Sequence, residues 1–64
     1  MVSPGDLENV RELASEHSRI SPFMIRRRLR LPRRVAAEAL EQLEQEGLVG
    51  PPGLGGSREV LKHG

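Results

Sequence analysis

A proline at position 32 divides two stretches of helical character, and this single residue limits the folds open to the chain. "MIRRRLR" lies before it and "VAAEALEQLEQEG" after it. A residue that precedes proline is pushed out of helical geometry, so the helix over the first stretch must end near Arg30. Proline suits the first turn of a new helix, where its missing N–H has no partner to lose. Pro32 therefore opens a helix that runs to about Glu46, with Gly47 as its stop. Val35, Ala36, Ala39, Leu40 and Leu43 form the apolar stripe of that helix. The two helices meet across the short turn Arg30-Leu31-Pro32.

The flanking sequence extends this unit. Ser21 reads as the cap of the helix before the turn, with Pro22 in its first turn. Met24 or Ile25, with Leu29, supplies its narrow apolar stripe. An earlier helix is predicted from about Pro4 to His17. Ser3 is its cap, Asp6 places negative charge at the positive helix end, and Leu7, Val10, Leu13 and Ala14 form its apolar face. Ile20 stands alone as an apolar residue and suits a very short strand. Leu48–Gly50 and Arg58–Leu61 read as two strands joined by the turn-rich loop "PPGLGGS". The expected fold class is mainly α with a small β-hairpin. Its architecture is a winged helix-turn-helix of three helices with a two- or three-stranded wing, as one domain over residues 1–64.

Composition narrows the function. At 64 residues the chain has room for one small core. It has no cysteine and one aromatic residue, Phe23, so disulfides and thiolate metal sites are excluded. The two histidines, His17 and His63, do not make a zinc site and are expected to be solvated. No cofactor or metal is expected. No nucleophile–base constellation and no phosphate-binding loop motif is present, so the domain itself is not expected to be an enzyme. No apolar run is long enough for a signal peptide or a membrane span, which predicts a cytoplasmic domain without membrane contact. Met1 is compatible with a natural start or with a fragment of a larger protein.

Charge is distributed unevenly. Arg26, Arg27, Arg28, Arg30, Arg33 and Arg34 fall within nine residues, although the formal net charge is only +1. From Val35 to Glu46 every charge is negative. Arg33 and Arg34 sit in the first turn of their helix and Glu38, Glu41, Glu44 and Glu46 come later. That order opposes the helix dipole, which favours acid first and base last. In a helix-turn-helix unit the second helix presents its first residues to base edges while the preceding helix crosses the phosphate backbone. Double-stranded DNA is thus the expected partner. Arg33, Arg34 and Glu38 are the candidates for base contact. Arg26, Arg27, Arg28 and Arg30 are candidates for backbone contact, joined by Ser57 and Arg58 at the wing. As a solvated face, the same arginines would carry no such role.

With both regions read, "IRRRLRL", the two alanines Ala36 and Ala37, "LEQLEQEGLVGP" and "GSREVL" are similar to the C-terminal gamma domain of the FtsK/SpoIIIE DNA translocases. The plasmid-transfer translocase TraB has a related domain. The resemblance covers about Arg19 to Leu61. It implies a winged helix that recognises a short directional DNA sequence and orients a ring-shaped motor on chromosome or plasmid. A translocase motor in the same polypeptide and a site-specific recombinase are the partners it implies. The chain departs from the family pattern at the reading helix. Arg34 stands where the family has asparagine, Val35 where it has arginine, and Glu38 where an arginine follows the two alanines. These departures favour the same scaffold with a different reading helix, as in plasmid translocases or a stand-alone binder. Two other readings remain: a stand-alone winged-helix regulator, and a winged helix that docks a protein on its arginine face or on Glu41, Glu44 and Glu46.

Overall fold

The computed structural model describes residues 2–62; His63 lies outside them. Three helices are present: α1 (Pro4–Ser15), α2 (Pro22–Leu29) and α3 (Arg33–Gln45). Two short strands, β1 (Arg19–Ile20) and β2 (Arg58–Glu59), pair antiparallel with Arg19 opposite Glu59 and Ile20 opposite Arg58.

Local chemistry sets the helix ends. The Ser3 hydroxyl accepts from the Asp6 N–H (3.1 Å) and the Ser21 hydroxyl from the Met24 N–H (3.2 Å). Each cap is followed at once by proline, which needs no donor partner. At the far end of α3, Gly47 adopts φ 78°, a left-handed conformation that glycine enters without steric cost. The turn lets the Gly47 and Leu48 N–H groups reach the Glu44 and Leu43 carbonyls (3.0 and 2.9 Å). These interactions satisfy helix ends that would otherwise leave polar groups unpaired.

The core gathers one stripe from each helix. Val10, Leu13 and Ala14 of α1, Ile25 of α2, and Ala36, Ala39, Leu40 and Leu43 of α3 are buried together. Ile20, Val49 and Val60 close it from the sheet side. Val35, placed on the stripe by periodicity, is only half-buried. Outside the core, the Arg11 guanidinium ties α1 to the end of α3. Its Nε and Nη2 donate to the two carboxylate oxygens of Glu46 (3.0 and 2.6 Å). The Arg11 hydrogen bonds hold the Glu46 carboxyl below the usual carboxylate range.

The wing departs from a simple hairpin. Leu48–Gly50 and the chain after Ser57 do pair, but through one isolated bridge, Val49 to Val60, with a Gly50 N–H to Glu59 carbonyl bond of 2.9 Å. Pro51 and Pro52 follow and have no N–H to offer, so the ladder stops there. The other edge of β2 is taken by β1. The isolated Ile20 is thereby explained: it is 1% exposed and fills the core from the edge strand.

Candidate nucleic-acid interface

The turn between α2 and α3 is built around a residue in a costly conformation. Arg30 ends α2 with φ 57° and ψ 34°, and its N–H donates to the Arg26 carbonyl (3.0 Å). Helices usually place glycine there, because other residues meet steric resistance in the left-handed region. Arg30→Gly is expected to raise stability by up to about 1 kcal/mol while shortening the slope of DNA affinity against salt by about 0.9. Thermal unfolding and a salt titration, run side by side, check the two halves separately.

From this turn the exposed arginines separate by helix geometry. Phe23, Arg26, Arg27 and Arg30 follow one another at helical spacing along one side of α2. With Leu31 and Pro32 they line an open groove. The Arg27 guanidinium lies 5.7 Å from the centre of the Phe23 ring, within cation–π range. A second groove runs between α2, the start of α3 and the wing. It is lined by Pro22, Phe23, Arg26, Arg33, Gly55 and Gly56. Arg26 and Phe23 border both, so Arg26, Arg27, Arg30 and Arg33 form one continuous basic surface around the turn. Pro32 provides no side-chain cap, and no acid occupies the first turn of α3. The positive end of α3 therefore opens beside Arg33 and Arg34 without a neutralising carboxylate.

The remaining candidates have separate positions. Arg34 is exposed on the first turn of α3, and Glu38, one turn further, is half-buried and already engaged. Arg28 points to the other side of α2 and lines a groove with Glu12 and Glu16 of α1. It does not join the basic surface, because its place on the helical wheel lies away from Arg27 and Arg30. The Ser57 hydroxyl accepts from Arg19 Nε (2.9 Å). Arg58 does not stand at the surface as an anion contact would require. It is 7% exposed, and its Nη1 donates to Glu44 Oε1 (2.6 Å) and to the Gly50 carbonyl (3.3 Å). The alternation that buries Val60 also directs Arg58 inward, since both face the same side of the strand.

This buried pair is asymmetric. The Glu44 side chain is 43% exposed, that of Arg58 9%. Removing Glu44 strands a buried cation whose Nε already has no partner among the described residues. Removing Arg58 leaves a carboxylate that water can reach and a Gly50 carbonyl that loses one long bond (3.3 Å). We expect Glu44→Ala to cost about 2 kcal/mol or more and Arg58→Met to stay within about 1 kcal/mol of the parent. Urea unfolding of the two variants is the check, and equal losses would contradict the asymmetry.

Three surface residues were not singled out by sequence reasoning. Arg19 holds the wing base through Ser57, a partner 38 positions away that no local pattern reveals. Phe23 is 65% exposed at the edge of both grooves; its isolation from any apolar stripe was the available signal. Ala37 is exposed one turn beyond Arg33 and Arg34, next to buried Ala36. A small side chain there leaves that face of α3 open to close approach. His17 is not simply solvated: it is half-buried, and its Nδ1 donates to the Leu13 carbonyl (3.0 Å).

Three helices, a minimal sheet with a glycine-rich wing and a basic surface around the helix-turn-helix bend define a winged-helix domain of the DNA-binding class. The chain belongs to the Ftsk gamma domain family, whose model matches residues 6–63. That family is one of DNA-binding domains. The comparison with curated proteins gives no match.

Proposed function

We propose that this chain is a sequence-specific double-stranded DNA-binding domain that orients a DNA translocase on chromosome or plasmid. The observation that carries the reading is the continuous surface of Arg26, Arg27, Arg30 and Arg33 beside the uncapped start of α3. Arg26, Arg27 and Arg30 would grip phosphates, and Arg33 and Arg34 would meet base edges in the major groove. Ser57 retains a hydroxyl hydrogen with which to meet a phosphate from the wing base. Glu38 would accept from a cytosine amino group if its present interaction is exchanged on binding. Arg58 is left as a structural residue, and Arg28 lies off this surface.

Family membership supports the wider assignment, in which a motor lies in the same polypeptide and a site-specific recombinase is a protein partner. It also supports a cytoplasmic position. No helix among the described residues is long and apolar enough to cross a membrane.

Selection of bound sequences from a random duplex library tests the reading directly. Enrichment of one short asymmetric motif is expected; uniform retention of all duplexes would defeat sequence recognition. On the selected duplex, Arg34→Ala is expected to cost about 1–3 kcal/mol and relax preference at one position. Arg27→Ala should weaken selected and unselected duplexes by the same factor. Loss of discrimination in both variants would contradict this division of roles.

A further inference from the structure

The wing has an unusual surface for a loop beside DNA. From Gly50 to Ser57 it carries no charged residue. At its tip Leu54 is 99% exposed, the most exposed large apolar side chain described. A leucine left in water loses the stabilisation that burial would give it.

The tip is nevertheless well held. The Gly53 N–H donates to the Ser57 carbonyl (2.8 Å) and the Gly56 N–H to the Gly53 carbonyl (3.0 Å), closing the loop on itself. Gly55 and Gly56, at φ 70° and 79°, make the left-handed turn that side chains resist. A Cβ at Gly56 would lie 3.5 Å from the Pro22 ring, so the loop also rests on the start of α2. Leu54 is thus presented by a braced turn.

Its place in the molecule selects an occupant. Gly55 and Gly56, which follow it, line the same groove as Arg26 and Arg33. The wing is therefore continuous with the basic surface. One turn of the duplex rises about 34 Å, so the centres of adjoining major and minor grooves lie roughly half that apart, and the domain measures 23 × 22 × 19 Å. A domain of that size with α3 in the major groove can set its wing at the neighbouring minor groove. That groove is about 6 Å wide and admits a single apolar side chain between base steps.

Resting on the DNA-binding reading above, we propose that Leu54 is an apolar wedge that enters the minor groove and bends the duplex there. Insertion replaces exposed leucine surface with base-stack contact. It needs no charge on the wing, because the arginines around the bend already neutralise the flanking phosphates.

The test uses the whole chain and a duplex recovered from the random-library selection, labelled at both ends for energy transfer. The parent protein is expected to shorten the end-to-end distance. Leu54→Ser should abolish that change and lower affinity about tenfold, as loss of one buried leucine side chain implies. Leu54→Met should retain both effects. The unfolding midpoints of these variants should match the parent, because the side chain makes no buried contact. Unchanged affinity and distance in Leu54→Ser would overturn the proposal, as would self-association of the parent that this variant abolishes. Failure of the parent to bind any duplex is a separate result and refutes the DNA-binding reading instead.

Discussion

Leu40→Ala is expected to leave the domain largely unfolded at physiological temperature. Leu40 is fully buried at the centre of α3, among core residues drawn from all three helices and the sheet. Cutting a buried leucine to alanine removes its transfer energy and leaves a cavity, at about 2–5 kcal/mol. A domain of this length has a total stability of about 3–10 kcal/mol, so the loss takes most or all of the margin at the lower end. Far-ultraviolet circular dichroism during heating is the measurement. Loss of the cooperative transition, or a fall of many degrees in its midpoint, is the expected result. A midpoint equal to that of the parent would show that the helices are held by something other than this core.

The second large effect is on binding. If about four phosphates are neutralised around the α2–α3 bend, affinity should fall with a logarithmic salt slope near −3.6. That is about a hundredfold loss between about 50 and 200 mM salt. Counterions condensed on the duplex are released when guanidinium groups take their place, and added salt opposes the release. The structure makes the prediction sharper, since the arginines do not contribute alike. Arg27→Ala should reduce the slope by about 0.9, while Arg28→Ala should leave it near the parent value. Arg28 lies with the acids of α1 on another side of the helix. Equal slope changes from Arg27 and Arg28 would place the duplex differently from the groove that Arg26, Arg27 and Arg30 share.

These two predictions draw on information of different kinds. The core was legible from periodicity, because a helix buries residues at a fixed spacing and a polar interruption marks its edge. Ser3 with Pro4, Ser21 with Pro22, and Gly47 marked helix ends by local chemistry alone. The bend at Leu31-Pro32 was equally local, since proline restricts the residue before it. The wing was less legible. A two-residue strand has no periodicity to detect, and Ile20 finds its place only because β2 lies beside it.

The candidate site divides in the same way. The concentration of arginine was visible in one dimension, but its direction was not. Six consecutive-looking cations on two helices point to several sides, and only the helical rotation and the bend decide which share a surface. Arg26, Arg27, Arg30 and Arg33 converge, whereas Arg28 turns toward Glu12 and Glu16. Arg58 carries the same charge but lies inward, bound to Glu44.

The amino-acid order alone thus determined three helices with their ends, the bend, the apolar stripes and the stretch where positive charge collects. Each depends on residues within a few positions of one another, where backbone sterics and helical spacing act directly. Tertiary packing decided the pairing of β1 with β2, the burial of Arg58, the anchoring of the wing by Arg19 and the set of arginines that meets on one side. Those outcomes depend on groups distant in the chain, and only closure around the shared core brings them within reach.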